Sequence, residues 1–220
     1  MMQVKSKNSI AGYTLVELLV AMSIFGILAS ITVFGFRGVG KANVLKQASA
    51  ELVANLRMIQ SLATTGGSVM TCGNITPIRA CSVNANCGTS GACDTPASPP
   101  GGYGIVINDI EGTGYTMFAH MKKLNSIDYL TPSYTLARDP VVKQGNVKLN
   151  KDMTIKVYQS SLPGTPFYTP AAMTFTTPRG LTNMDAFFCI SHVDLPTINY
   201  RVKLFKDTGQ LLEETVTSCP

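Results

Sequence analysis

The sequence predicts an α+β fold, in which one long N-terminal helix is followed by a domain of antiparallel β-strands. Nineteen residues without a charge, 18–36, indicate a first helical half that is apolar on every side. A stripe of apolar residues at helical spacing then runs from Leu45 to Ala63, and from Gly101 onward the pattern changes to short β-rich segments. Such a helix is expected to pack its stripe on the sheet.

The uncharged run is long enough to cross a bilayer. At the helical rise per residue, the nineteen residues span about 28 Å, close to the thickness of the hydrocarbon core. Lys5 and Lys7 lie in an N-terminal segment that has no acidic residue before Glu17. The N-terminal end is therefore expected to stay cytoplasmic and the rest of the chain to be translocated. Arg37 and Lys41, on the far side, weaken this asymmetry without reversing it.

A short motif precedes the apolar run. Residues 9–18 read Ser-Ile-Ala-Gly-Tyr-Thr-Leu-Val-Glu-Leu and place Gly12 and Glu17 at the start of the predicted helix. An ordinary secretory signal ends its apolar core at a cleavage site. Here the plausible cleavage site precedes the core, which would stay on the mature chain. The motif resembles the class III leader of type IV pilins and type II secretion pseudopilins.

The resemblance implies how the N-terminus is processed. In this family a prepilin peptidase in the membrane cuts after the glycine and methylates the new N-terminus. Gly12 would then be the last leader residue, and Tyr13, in place of the more usual Phe, the methylated first residue of the mature chain. Glu17 would be the glutamate at the fifth mature position, which implies pairing with the N-terminal amine of a neighbouring subunit.

Glu17 also has a local interpretation. Thr14 and Glu17 have the spacing of a capping box, in which the Thr14 hydroxyl caps the helix and Glu17 reaches back to an orphan amide. A carboxylate in the first turn also suits the helix dipole. Pairing with an ammonium about 4 Å away would contribute on the order of 4 kcal/mol before desolvation. The local role and the pairing role are compatible.

Together with the element pattern, the resemblance implies the organisation of the chain. The expected parts are a leader at 1–12, an assembly half of the helix at 13–36, an amphipathic half at 37–65, a cysteine-rich loop at 66–102 and a β-sheet domain at 103–220. The expected partners are other pilin or pseudopilin subunits, the prepilin peptidase, the inner-membrane assembly platform and the membrane. The chain would lie in the bacterial inner membrane and then in a surface or periplasmic filament.

Within the superfamily the chain resembles the H-type minor pseudopilin and related minor pilins. This resemblance rests on the helical segment 48–64 with Arg57, the strand end at 175–180 and the strand and turn at 202–209. Some of these relatives bind DNA through basic residues after the last turn glycine. Gly209 is instead followed by Gln-Leu-Leu-Glu-Glu, so no direct nucleic-acid binding is expected.

The six cysteines favour disulfides, because an even number on the translocated side of a membrane is typical of them. A bond between Cys189 and Cys219 would attach the last hairpin to the sheet, and pilins commonly carry such a C-terminal bridge. The other four cysteines allow three pairings, between which the sequence does not choose. These four are Cys72, Cys81, Cys87 and Cys93.

Other chemistry has little support in the sequence. A zinc site is the alternative use of the clustered cysteines, but the expected Cys-x2–4-Cys spacing is missing. His120 and His192 have no metal-like spacing to each other or to acidic residues, so surface or packing roles are expected. No nucleophile–base pair can be identified, so neither catalysis nor a cofactor is expected. Removal of residues 1–12, which hold two basic residues and no acidic one, would lower the net charge from +5 to +3. This charge is too small to imply nucleic acid by itself.

The expected strands and loops follow from local pattern. Gly35, Gly38 and Gly40 predict a bend, a local melting of the helix on assembly, or simply a poor helical segment at the membrane surface. Residues 124–146, with several turn residues, are expected to be a surface excursion. The β-rich runs lie at 105–107, 115–118, 153–158, 173–175, 186–190, 200–204 and 210–216, with a turn at 206–209.

Three functions are compatible with these observations. The first is a structural minor subunit of a type IV pilus or a type II secretion filament. The second is a binding module at the filament tip, for adhesion or DNA uptake, with the 66–102 loop or the 124–146 excursion as its contact surface. The third is a membrane-tethered envelope domain that never assembles, against which Glu17 and the glycine cleavage site argue.

Overall fold

A computed structural model describes residues 13–72, 81, 87, 92–99, 101–107, 109, 111–121, 134–135, 139–160 and 172–219, without the side chains of 31–39 and 143–144. The chain divides into two compact units between Lys41 and Ala42. The helix α1 spans Leu15–Thr65. The described strands are β1 Val69–Cys72, β2 Cys93–Ala97, β3 Tyr103–Ile107, β4 Gly114–Ala119, β5 Val141–Lys148, β6 Met153–Gln159, β7 Ala172–Phe175, β8 Ala186–His192, β9 Asn199–Leu204 and β10 Leu211–Val216.

The strands form three antiparallel sheets. β1 and β2 make a two-stranded sheet. The first four-stranded sheet has the order β5-β4-β3-β7, and the second has the order β10-β9-β8-β6. One long helix followed by antiparallel sheets is the α+β architecture that the sequence predicts, and the predicted fold class is therefore confirmed.

The core of the second unit forms where the apolar stripe of α1 meets the two four-stranded sheets. The first sheet contributes residues such as Ile105 and Met117, and the second contributes residues such as Ile155 and Phe188. Burial of each large apolar side chain contributes about 1.5–3 kcal/mol. The fully buried stripe residues are Leu45, Leu52, Leu56, Ile59 and Ala63, which confirms the predicted face of the helix.

Two side-chain hydrogen bonds fix the helix against both sheets. Asn55 Nδ2 donates to the Tyr115 hydroxyl of the first sheet at 2.8 Å. Ser49 Oγ donates to Glu213 Oε1 of the second sheet at 2.7 Å. Burial raises the pKa of Tyr115 to about 12. Because a buried polar group without a partner costs about 1–3 kcal/mol, these bonds hold α1 in one rotation on the sheets.

Gln60 joins α1 to two glycine turns. Its Nε2 atom donates to the carbonyl oxygen of Gly209 at 2.9 Å and to that of Gly180 at 3.3 Å. Gly180 and Gly209 have φ values of +61° and +64°. These values lie in the left-handed region of the backbone, which residues with a Cβ rarely adopt. A Cβ on Gly209 would lie 2.5 Å from Gln60 Nε2 and 2.9 Å from the Gly180 carbonyl oxygen. Both turns therefore need glycine.

The predicted excursion at 124–146 is wrong in its C-terminal part. β5 starts at Val141, and it pairs with β4 as the edge strand of the first sheet. The pairing register shifts between Thr116 and Phe118, and a Cβ on Gly145 would lie 2.6 Å from the Met117 carbonyl oxygen. This irregularity breaks the alternation by which a strand is recognised in sequence. Residues 124–133 lie outside the described part of the chain.

The glycine cluster lies within α1. The backbone is helical from Leu15 to Thr65, through Gly35, Gly38 and Gly40. The helix forms here although each glycine costs up to about 1 kcal/mol relative to alanine.

We expect Gly209→Ala to lower the free energy of unfolding by about 1–3 kcal/mol, because a Cβ would strain the backbone and displace Gln60. Thermal unfolding of the full chain in detergent measures this loss as a lower melting temperature. Gly40→Ala is the matched control, since a Cβ there meets nothing within 4 Å, and it should leave stability unchanged or slightly raised. An unchanged melting temperature for Gly209→Ala would contradict the role of the turn.

Candidate functional site

The described N-terminal segment begins with a capped helix. Tyr13 and Thr14 precede α1, and the Glu17 amide donates to Thr14 Oγ1 at 3.3 Å. The Leu18 amide donates to the Thr14 carbonyl oxygen at 3.2 Å. Thr14 is therefore the N-cap that the capping-box pattern predicts.

The Glu17 carboxylate is exposed and remains available to a partner. The reciprocal bond from Glu17 to the Thr14 amide is not formed among the described residues, which also provide the carboxylate with no ion-pair partner. A carboxylate in the first turn of a helix interacts favourably with the helix dipole. An anion is thus displayed at the start of an apolar helix, where a neighbouring cation could bind it. Gly12 lies outside the described residues.

Around and after Glu17, the first half of α1 presents apolar side chains on every side. More than half of the surface of each is exposed in the single chain. A helix that is apolar all round is normally covered, either by protein or by lipid. The exposed residues are Leu15, Val16, Leu18, Leu19, Val20, Met22, Ile24, Phe25, Ile27 and Leu28. In the part of the chain that the structure describes, no helix meets the length and hydropathy required to cross a membrane.

The polar side chains within this apolar surface bond to their own helix. Ser23 Oγ donates to the Val20 carbonyl oxygen at 2.8 Å, and Ser30 Oγ donates to the Ile27 carbonyl oxygen at 2.7 Å. Hydroxyl groups satisfied in this way do not need water. The helix surface is therefore compatible with an apolar environment despite its serines.

The cysteine-rich segment contains a hairpin that the sequence did not predict. β1 and β2 pair antiparallel, with Cys72 opposite Cys93. Ser98 Oγ donates to the Gly66 carbonyl oxygen at 3.1 Å, which joins the segment to the end of α1. The sequence pattern does not indicate this hairpin, because Pro96 inside β2 argues against a strand.

The structure selects one of the three pairings that the sequence left open. Cys72 bonds to Cys87, and Cys81 bonds to Cys93. The two opposite strand residues, Cys72 and Cys93, are therefore each bonded to a cysteine of the connecting segment and not to each other. The Cys81 amide donates to the Met70 carbonyl oxygen at 2.9 Å, so the connecting segment returns to β1.

The clustered sulfurs do not form a metal site in this oxidised state. The Sγ atoms of Cys72, Cys81 and Cys87 lie within 4.8 Å of one another, but all three take part in disulfides. Metal ions bind thiolates, and the described residues include no free cysteine.

The C-terminal disulfide predicted from the resemblance is present. Cys189 of β8 bonds to Cys219, and Cys189 is buried beside the stacked rings of Tyr158 and Phe187, whose centroids are 5.1 Å apart. Arg201 lies over the Phe187 ring at 5.5 Å. The bridge therefore holds the end of the chain on the outer face of the second sheet.

Both histidines have packing roles, and the alternative of a surface role is wrong. His120 Nδ1 lies 3.2 Å from Asp139 Oδ1, with both side chains buried. Asp139 also accepts the amides of Met121 and Thr135, each at 3.0 Å. His192 Nδ1 accepts the Asp194 amide at 3.1 Å. The partner of His120, 19 residues away, could not be found by motif spacing.

The comparisons with known proteins concern the N-terminal segment. The chain matches the family described as "Prokaryotic N-terminal methylation motif" over residues 7–33, a range that includes Gly12, Tyr13 and Glu17. No curated protein and no solved structure is significantly similar to the chain. The methylation motif supports the type IV pilin and pseudopilin class, whose members are processed by a prepilin peptidase, assemble with other pilins and are generally structural proteins, not enzymes.

Replacing Cys189 and Cys219 together by alanine should lower the free energy of unfolding by roughly 3–4 kcal/mol, the chain-entropy value for a closed loop of this size. The bridge spans 30 residues. Urea denaturation of the full chain in detergent, compared with the unmodified protein, measures the loss. An unchanged denaturation midpoint would show that the bridge does not stabilise the sheet.

Glu214 should titrate below the ordinary range of a glutamate. A hydrogen bond from Lys203, whose Nζ lies 3.0 Å from Glu214 Oε1, is the main cause that lowers the pKa of Glu214, and Arg201 adds a second bond. A lowered folded pKa stabilises the protein above the unfolded pKa of about 4.3, and this contribution is lost as the pH falls through the folded pKa.

A carboxyl NMR titration of Glu214 tests this expectation. Lys203→Met should move the midpoint upward toward the ordinary value, whereas the control Lys151→Met, which removes an exposed lysine elsewhere, should not. A midpoint that is the same in both variants would contradict the assignment.

Proposed function

We propose that the chain is a structural minor subunit of a type IV pilus or a type II secretion filament. The peptidase would cut between Gly12 and Tyr13 and methylate Tyr13, and the mature chain would assemble through α1. The observation that carries the proposal is the methylation motif at residues 7–33, which coincides with a capped, apolar helix that displays one carboxylate.

Cleavage at the proposed site would leave a functional N-terminus. Tyr13 is 84% exposed and lies outside α1, so a peptidase could reach the preceding bond without unwinding the helix. Removal of residues 1–12 takes away Lys5 and Lys7 and creates one new ammonium group at Tyr13. The first turn of the mature chain would then carry one cation and one anion, Glu17.

Pairing between subunits would neutralise both charges. A carboxylate near the end of a helix within a bilayer is costly, though less so than at its centre, and an unpaired ammonium is costly as well. If the ammonium of one subunit meets Glu17 of its neighbour, both charges are compensated at one axial position. This contact would set the register in which the apolar helices pack.

The apolar surface of α1 supports both stages of such a pathway. Before assembly, lipid would cover the side chains from Leu15 to Leu28, and the short basic leader would keep the N-terminus on the cytoplasmic side. In a filament, the same side chains would contact helices of other subunits. Because lipid and packed helices are similarly apolar, the transfer requires no large change in desolvation.

The minor-subunit assignment rests on the second unit. The resemblance to the H-type minor pseudopilin includes Gly180 and Gly209, and the structure joins both turns through Gln60. A shared structural role for these positions supports the proposal, because it explains why both glycines occur in one pattern.

Binding at the filament tip is the second candidate, favoured by the doubly cross-linked β1–β2 hairpin. Two disulfides cross-link the hairpin to Cys81 and Cys87, and Met70 is 42% exposed on β1. Cys72→Ser/Cys87→Ser filaments that assemble normally but lose surface attachment would support this role, and unchanged attachment would count against it.

Glu17→Gln should be processed normally but enter filaments at least tenfold less well, because loss of a pairing worth only about 1.4 kcal/mol already changes an equilibrium tenfold. The amide keeps the size and polarity of the side chain. Processing is measured as the intact mass of the protein from envelope fractions, with residues 1–12 lost and one methyl group added at Tyr13. Incorporation is measured in sheared filaments.

Thr14→Ala is the matched control, because it removes the observed cap, worth about 1 kcal/mol, and keeps the charge. It should enter filaments better than Glu17→Gln. Equal incorporation of Glu17→Gln and the unmodified chain would reject the pairing, and an intact N-terminus on the native protein would reject the filament assignment altogether.

A further inference from the structure

The two disulfides of the cysteine-rich segment interlace. They close loops across 15 residues, Cys72 to Cys87, and across 12 residues, Cys81 to Cys93. Pairing consecutive cysteines instead would close loops of nine and six residues, and the nested pairing would close loops of 21 and six. The observed pairing therefore joins more distant residues than the consecutive alternative does.

Loop closure in an unfolded chain disfavours the observed pairing. The entropic cost of closure grows as three halves of RT times the logarithm of the loop length. By this relation the consecutive pairing is favoured over the observed one about sixfold, and the nested pairing about 1.7-fold. The observed pairing would make up only about a tenth of the population before folding.

Contacts in the folded hairpin favour the observed cysteine pairing, which chain entropy disfavours. The amide of Cys81 donates to the Met70 carbonyl oxygen and holds Cys81 beside β1. Cys93 lies on β2, opposite Cys72 of β1, so pairing of the two strands brings Cys93 next to Cys81. Cys72 and Cys87 are each only 4% exposed, so their bond is enclosed in the folded segment. The observed pairing thus depends on contacts that exist after β1 and β2 have paired.

The sulfur positions allow the bonds to exchange within the folded segment. The Sγ atoms of Cys72, Cys81 and Cys87 lie within 4.8 Å of one another. A thiolate on Cys81 would therefore need only a small movement to attack either sulfur of the Cys72–Cys87 bond. Thiol–disulfide exchange proceeds by such an attack, through a mixed disulfide, without net oxidation or reduction.

We propose that the cysteine-rich segment reaches its observed pairing by thiol-catalysed isomerisation from consecutive pairs, so that the chain is a substrate of a protein of the dithiol isomerase class. A consecutive pair forms first as the chain is translocated, because the nearer cysteine is available earlier and at lower entropic cost. The hairpin then forms, and thiol–disulfide exchange converts the consecutive pairs into Cys72–Cys87 and Cys81–Cys93.

The exchange is balanced in atoms and electrons. A catalyst thiolate attacks Cys93 of a Cys87–Cys93 bond, forms a mixed disulfide with Cys93 and releases Cys87 as a thiolate. Cys87 attacks Cys72 of the Cys72–Cys81 bond and releases Cys81. Cys81 then attacks the mixed disulfide at Cys93, forms Cys81–Cys93 and regenerates the catalyst thiolate.

The first test uses Cys93→Ser, which leaves Cys81 as a free thiol beside the Cys72–Cys87 bond. After incubation of the full chain in detergent at pH 8, acid quenching and tandem mass spectrometry of linked peptides, we expect Cys72–Cys81 or Cys81–Cys87 bonds beside Cys72–Cys87. Cys72–Cys87 alone would overturn the proposed exchange.

Cys219→Ser is the matched control for this test. It leaves Cys189 as a buried free thiol, and the described residues place no group of sulfurs around it comparable to the hairpin cluster. No new disulfide at Cys189 is expected. Exchange at Cys189 to the same extent would show that the reaction does not depend on the hairpin geometry, and would overturn the proposal.

The second test uses the unmodified chain, so that it does not depend on the folding of a variant. The reduced full chain is oxidised in urea without thiol, and consecutive pairs should exceed the observed pairs about sixfold. After transfer to detergent without urea, reduced glutathione should convert them to Cys72–Cys87 and Cys81–Cys93. The same transfer without glutathione should leave them unchanged. Direct formation of the observed pairs in urea, or their recovery without thiol, would overturn the proposal.

Discussion

Burial of one apolar stripe of α1 holds the second unit together, because both four-stranded sheets meet in that core. The stripe from Leu45 to Ala63 packs against inner-face residues of each sheet. Three polar side chains on the same helix, Ser49, Asn55 and Gln60, then bond to Glu213, Tyr115 and the two glycine turns. Apolar burial supplies the main stabilisation, and the polar contacts fix the orientation of the helix about its own axis.

The two halves of α1 differ in the pattern of their apolar side chains. Residues 18–28 carry no charge and are apolar on all sides, whereas the second half has a single stripe and polar residues around it. An apolar surface without a polar face is not stable in water. The methylation motif at residues 7–33 supports the type IV pilin and pseudopilin class, and the change of pattern is compatible with the proposed assembly through the first half of α1.

The cysteine-rich segment shows how covalent bonds replace a core. Its described residues include few buried apolar side chains, mainly Cys72 and Cys87, and a two-stranded sheet alone is marginal in water. Two disulfides cross-link the described cysteines of this segment. The same bonds create a problem in maturation, because the pairing that suits the fold is the one that loop entropy favours least.

The sequence by itself determined the features that depend on near neighbours in the chain. These are the processing motif around Gly12 and Glu17, the Thr14 cap, the stripe of α1, most of the strands and the α+β class. Only the tertiary structure decided the pairing of Cys72 with Cys87, the His120–Asp139 contact, the edge position of β5 and the junction of Gln60 with Gly180 and Gly209. Periodicity and capping act over a few residues, whereas these contacts join residues that are distant in sequence, and loop entropy alone would have indicated the wrong cysteine pairs.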